Sequence, residues 1–185
     1  MGSILDRSTK NVKTVVIGES GDGKTGAIMS LIAEGYNIRD IDTDNGADTL
    51  KGLLHPNYPY AEYIRKKGID LNKTTSIIPI STQMGMRKIV HKFGKETITE
   101  TILAPKNASA WGRIISQLEE WKDGEHNFGH ISTWDQNCVL VLDSFTTISR
   151  QAYYYNQELN SRLGASETGY SHGLDINGAQ SQLRR

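Results

Sequence analysis

Gly18-Glu19-Ser20-Gly21-Asp22-Gly23-Lys24-Thr25 fits the pattern G-x-x-x-x-G-K-[ST] in full. Gly18 at its start and Gly21 and Gly23 within it let the backbone curl so that successive N–H groups point inward at phosphate oxygens, and the following helix turns its positive end toward them. In this pattern the lysine, Lys24, reaches the β- and γ-phosphates, and the hydroxyl of Thr25 ligates Mg²⁺. The flanks agree with the motif. Thr14-Val15-Val16-Ile17 is a short β-branched run that reads as a buried strand, and Gly26 opens a helical pattern through Ala33 with Gly35 as its stop. The phosphate-binding set expected from the motif is therefore Gly18, Glu19, Ser20, Gly21, Asp22, Gly23, Lys24, Thr25 and Gly26. Gly21-x-Gly23-x-x-Gly26 also satisfies the dinucleotide fingerprint, with Asp42 and Asp44 downstream. In that fold, however, the glycine turn follows its strand at once and nothing requires Lys-Thr, so the phosphate loop is the reading preferred.

Two further blocks complete a nucleotide site on paper. Cys138-Val139-Leu140-Val141-Leu142 is a continuous apolar run of the kind a parallel sheet covers on both faces, and it ends in Asp143. A carboxylate there has the form of a Walker B acid, which holds the Mg²⁺ shell. A strand over Asn37–Asp42 leads into the acidic turn Asp42-Thr43-Asp44-Asn45-Gly46, where Asp42 and Asp44 are two apart and share a side of the strand end. One of them could orient the water that attacks a γ-phosphate. The alternative is an Asp-rich turn with Asn45-Gly46 supplying its geometry.

Outside these blocks the chain reads as follows. Pro56-Asn57-Tyr58-Pro59 is a turn, Ser76–Ser81 an edge strand limited by Pro79, and residues 86–103 a hairpin about Phe93-Gly94-Lys95. Trp111, Ile114, Ile115, Leu118 and Trp121 form one apolar stripe on a helix from Ser109 to Lys122. A helix around Ile148–Leu163, a flexible tract over residues 164–173 and a final helix from near Asp175 close the sequence.

The whole chain has 185 residues, 37% hydrophobic and 23% charged, which suits one α/β domain with a real core. Twenty-one basic and twenty-one acidic side chains cancel, so no global positive field advertises nucleic acid or an acidic membrane. The balance is uneven, since residues 60–106 carry nine basic and four acidic side chains. Cys138 is the single cysteine and cannot form an internal disulfide, and the N-terminus has no apolar secretory signal. A reducing cytoplasm is the expected compartment. No stretch approaches the roughly 18 apolar residues of a membrane-spanning helix.

Taken in order, Gly18–Thr25, Ile41–Gly46 and Val139–Thr146 resemble the corresponding blocks of RecA-like P-loop ATPases. The likeness is in particular to the compact bacteriophage proteins associated with single-strand annealing and recombination. It implies an α/β fold with a mostly parallel sheet flanked by helices, here as a single domain over 1–185 with a β-rich insertion at 60–106. It also implies ATP and Mg²⁺ as cofactors, hydrolysis of the γ-phosphate, and catalytic roles for Lys24, Asp44 and Asp143, with Thr25 and Asp143 holding the metal. By position the water-polarising acid is Asp44, which is shorter than the glutamate common in the family. The recombinase loop that contacts single-stranded DNA corresponds to residues 149–173, which makes Arg150, Tyr153, Tyr154, Tyr155 and Arg162 the candidate contacts. Single-stranded DNA, a single-strand-binding protein and further copies of the chain are the partners implied, in the host cytoplasm if the protein is phage-encoded. In the family a further core strand follows the last helix, so this sequence corresponds to the N-terminal part of such an ATPase, with its C-terminal strands missing.

Other chemistries fit less well. His126, His130 and Cys138 are too few for a structural zinc site, no G-x-S-x-G elbow is present, and Asn72-Lys73 lacks the aspartate of a GTPase signature. Beside the ATPase, two readings stay open. One is a non-hydrolysing ATP-gated binding module; the other is a small-molecule kinase using the basic segment 60–106 as its lid.

Overall fold

The computed structural model describes residues 13–19, 22–53, 55–163 and 170–184. It is an α/β chain that divides into two units, one comprising residues 1–79 and 118–143 and the other 80–117 and 144–185.

In the first unit, α1 (Gly26–Glu34) buries Ile28, Met29, Ile32 and Ala33 along one stripe and stops at Gly35, whose φ of 90° only glycine adopts at ease. The Gly35 N–H donates to Ile32 O and the Tyr36 N–H to Leu31 O, which satisfies the last carbonyls of the helix. The chain then enters β1 (Asn37–Asp42), and α2 (Ala47–Leu53), α3 (Pro59–Lys67) and α4 (Leu71–Thr74) carry it to β2 (Thr75–Pro79). β1 pairs in parallel with β2 on one side and with a later strand, Cys138–Asp143, on the other. Being central, it is buried from Ile38 to Asp42. Ile38 joins Met29, Ile32, Leu50 and Ile64 in the core on the α1 face, where each such side chain is worth about 1.5–3 kcal/mol of transfer free energy.

The opposite face of this sheet is covered by a small hairpin of residues 121–129. There Trp121 is fully buried, its Nε1–H donates to Ser76 Oγ at 2.8 Å, and the Ser76 hydroxyl donates to Asp123 Oδ2 at 2.7 Å. Arg39 is buried on the same side, its guanidinium 3.7 Å from the Phe128 ring centroid and donating to the carbonyls of Ile38 and Thr74.

The second unit contains β3 (Met84–Phe93) and β4 (Glu96–Pro105), a ten-residue antiparallel pair turning at Gly94-Lys95, and most of α5 (Ser109–Glu119). β5 (Trp121–Asp123), β6 (His126–Gly129) and β7 (Cys138–Asp143) belong to the first unit. The second unit resumes with α6 (Phe145–Leu159) and α7 (Tyr170–Leu183). The Ser144 hydroxyl caps α6 by accepting from the Thr147 N–H.

Several expectations are met. The helix at Gly26, the strands at Asn37–Asp42 and Cys138–Asp143, the edge strand ending at Pro79 and the hairpin about Gly94-Lys95 are all observed. Others are corrected. Thr14–Ile17 is not a buried strand: it has no regular structure, and Val15 and Ile17 are 82% and 89% exposed. A β-branched run becomes a strand only against a ladder partner, and this one pairs with none of the three strands β2, β1 and β7 of the parallel sheet. Among the described residues β7 is therefore an edge strand, half-buried where cover on both faces was expected. The α5 helix ends at Glu119, so Trp121 is held by β5 and not by the helical stripe. α6 begins and ends earlier than the periodicity indicates, and α7 begins at Tyr170, ahead of Asp175. Helices α2, α3 and α4 have no counterpart in the sequence pattern. In α3 the proline expected to end a turn, Pro59, is the first helical residue, where its missing N–H costs nothing. Residues 164–169 of the flexible tract lie outside the described residues. No helix among the described residues is long and apolar enough to cross a membrane.

Candidate functional site

Two loops of the first unit, Gly18–Thr25 and the acidic turn 42–46, meet the end of β7 at Asp143. The first is Gly18–Thr25, of which Ser20 and Gly21 lie outside the described residues. Glu19 N–H donates to Asp22 Oδ2 at 2.7 Å, and the loop is so tight that a Cβ on Gly18 would stand 2.8 Å from the same oxygen. Gly23 has a φ of 79°. Lys24 Nζ donates to the carbonyls of Gly18 at 2.8 Å and Glu19 at 2.6 Å, so the ammonium lies back over the loop that precedes it. Gly26 is the first residue of α1.

Thr25 occupies the N-cap of α1, yet its hydroxyl makes no cap bond. It donates to Asp143 Oδ2 at 2.7 Å, joining residues 118 apart in sequence. Asp143 is the last residue of β7, in register with Asp42 of β1. Its backbone carbonyl accepts from the Thr43 N–H at 2.6 Å and the Thr43 hydroxyl at 3.0 Å. These bonds fix the height of Asp143 against the acidic turn. Gly46 completes the junction, because a Cβ there would fall 3.0 Å from Asp143 Oδ2 and 3.2 Å from Thr25 Oγ1.

The acidic turn separates its two aspartates. Asp42 is buried, and its Oδ1 accepts from the N–H groups of Asp44 at 3.1 Å and Gly46 at 2.9 Å while Oδ2 accepts from Ala47 N–H at 2.9 Å. It is the cap of α2, supported by Asn45 in the left-handed region at φ 60°. Asp44 is exposed. The turn-forming role therefore belongs to Asp42, and Asp44 is the carboxylate of the pair that solvent reaches.

Asp40 was not singled out from the sequence, and Thr43 and Gly46 were read only as parts of the acidic turn. Asp40 is 1% exposed, and its Oδ1 has no hydrogen-bond partner among the described residues. Burial pushes its carboxyl up to about 7, with the neighbouring carboxylates of Asp143 and Asp42 adding to the effect. The signal available in the sequence was the period of two in β1, which puts Asp40 on the same face as Asp42.

Thr25 and Asp143 together present a hydroxyl and a carboxylate, the hard oxygen donors that suit Mg²⁺, an ion that keeps several waters and takes few protein ligands. Among the described residues no three His, Cys, Asp or Glu side chains gather as a metal-binding group. His126, His130 and Cys138 accordingly do not form one; His130 Nδ1 accepts from the Ser132 N–H.

In the second unit the expected DNA contacts do not form a free set. Tyr153, Tyr154 and Tyr155 are half-buried on α6, and the Tyr153 hydroxyl accepts from Gln157 Nε2 at 3.0 Å. Arg162 is ion-paired to the fully buried Asp175, which also accepts from Asn160 Nδ2. Arg150 is exposed.

No protein-family model, curated protein or solved structure matches the chain.

Proposed function

We propose that this chain binds ATP with Mg²⁺ at the Gly18–Thr25 loop, as a RecA-like P-loop protein, and hydrolyses the γ-phosphate in support of DNA recombination or single-strand annealing. The observation that carries the reading is the hydrogen bond from Thr25 Oγ1 to Asp143 Oδ2. It brings the last residue of the loop motif to the acid that ends the apolar strand, the pairing a metal–triphosphate site needs. Lys24 supports it, since an ammonium held by two loop carbonyls exchanges them for phosphate oxygens without moving its backbone. Bound Mg²⁺ supplies neutralisation of the charge that builds on the phosphates. Thr25 and Asp143 hold it, Lys24 meets the outer phosphates, and the exposed Asp44 orients the attacking water while Asp42 keeps the turn in place. Equilibrium titration with ATP tests the reading: Lys24→Ala should weaken binding at least tenfold, and unchanged affinity would remove it. Turnover that survives Asp44→Asn would take the water-orienting role from that residue, and absence of turnover in the wild type would leave an ATP-gated binding module.

A further inference from the structure

The first unit exposes tyrosines that no sequence motif marks. Tyr60 and Tyr63 on α3 are 39% and 42% exposed, and Tyr58 at its N-cap is exposed as well. Only Ile64 of α3 is buried and Ala61 is half-buried, so the helix is anchored along one line and leaves its tyrosines exposed. Tyr60, Tyr63, Lys66 and Lys67 follow one another at spacings of three and four along that outward side. Lys67 Nζ lies 4.6 Å from the Tyr63 ring centroid while donating to Ala33 O at 3.1 Å and pairing with Glu34 at 3.3 Å, so it ties α3 to the end of α1, and Arg65 is exposed on the flank. Lys66 is paired with Glu62, but both side chains stand in water, where such a pair is weak and readily exchanged.

We propose that this outward side of α3 binds an unpaired nucleic-acid strand, with Tyr60 and Tyr63 stacking on bases and Arg65 and Lys66 meeting phosphates. Aromatic faces interleaved with cations are what a single strand requires, because its bases are open to stacking while its backbone carries regular negative charge. A duplex keeps its bases stacked inside and an acidic polypeptide offers no π-face, so neither uses the tyrosines. The inference rests on the nucleic-acid part of the proposed function and is independent of ATP. It moves the contact surface from the half-buried tyrosines of α6 to the exposed ones of α3.

Fluorescence anisotropy with a labelled oligothymidylate tests it, with ATP affinity and circular dichroism measured in parallel on every variant. Tyr60→Ala with Tyr63→Ala should weaken binding at least tenfold, Tyr→Phe at both positions should restore it, and ATP affinity should not change. Arg65→Gln with Lys66→Gln should lower the slope of log affinity against log salt by about 1.4, at about 0.7 for each phosphate no longer neutralised. If the wild type binds and these variants bind as well as it does while Arg150→Ala or Tyr154→Ala fails, the inference is overturned and the nucleic-acid reading stands on α6. No binding by the wild type at low salt removes both. Equal displacement of the oligonucleotide by polyglutamate also overturns the inference, since the surface would then read charge alone.

Discussion

The Thr25 hydroxyl donates to Asp143 Oδ2 across 2.7 Å, although the two residues are 118 positions apart. A threonine at a helix N-cap ordinarily bonds its own helix, and this one is turned outward toward the end of β7. That orientation makes the loop and the strand one site.

Asp143→Asn keeps an oxygen to accept from Thr25 and removes the charge. Stability should stay within about 1 kcal/mol of the wild type, while the gain in ATP affinity on adding Mg²⁺ should disappear. Calorimetric titration in Mg²⁺ and in chelator checks this. Thr25→Val should lose the same metal effect and also about 1–3 kcal/mol of stability, because Asp143 Oδ2 is left without its donor.

The two aspartates of the turn should respond in opposite ways. Asp42 accepts three backbone N–H bonds at the start of α2, so Asp42→Ala should cost about 2–3 kcal/mol in urea unfolding. Asp44→Asn, at an exposed position, should leave stability within about 0.5 kcal/mol and abolish phosphate release.

Asp40 predicts a pH dependence. Its carboxyl is raised from 3.8 to about 7 in the folded chain, chiefly by burial, so the folded state binds this proton more tightly than the unfolded state does. The associated stability is fully present below pH 3.8 and is lost as pH rises toward 7. Denaturant unfolding in chelator should show the wild type losing on the order of a few kcal/mol between those limits. Asp40→Asn should flatten that dependence and be more stable than the wild type at pH 8.

Arg162 should behave as a structural residue. It pairs with Asp175, which is 0% exposed, so Arg162→Ala should destabilise the packing of α6 with α7 by about 2–3 kcal/mol. Hydrogen exchange in Tyr170–Leu183 should rise accordingly. Oligonucleotide affinity of the folded fraction should be unaffected, and a large loss would return Arg162 to the binding surface.

The local signals were strong where geometry is local. A glycine-rich loop followed by a periodic apolar stripe, a Gly35 stop and a continuous apolar strand ending in Asp143 are short-range patterns, and the structure places elements where they indicate. The same reasoning failed at Thr14–Ile17 and at Trp121, because both depend on partners far along the chain. A β-branched run that joins no ladder stays exposed, and a tryptophan in step with a helix is held in a strand where it bonds Ser76. The short helices between β1 and β2 were hidden for a related reason: α3 buries little beyond Ile64 and so carries almost no apolar period.

By itself the sequence marked the residues of the candidate site, since Lys24, Thr25, Asp42, Asp44 and Asp143 all lie in short blocks with recognisable spacing. Only the tertiary structure divided the labour among them. It gave Asp42 to the helix cap and left Asp44 exposed, turned Thr25 from its own helix to Asp143, buried Asp40 among like charges, and committed Arg162 to Asp175. The reason is that hydrogen-bond partnership and desolvation are decided by whatever the fold brings alongside, whereas a motif specifies only residue types and their spacing.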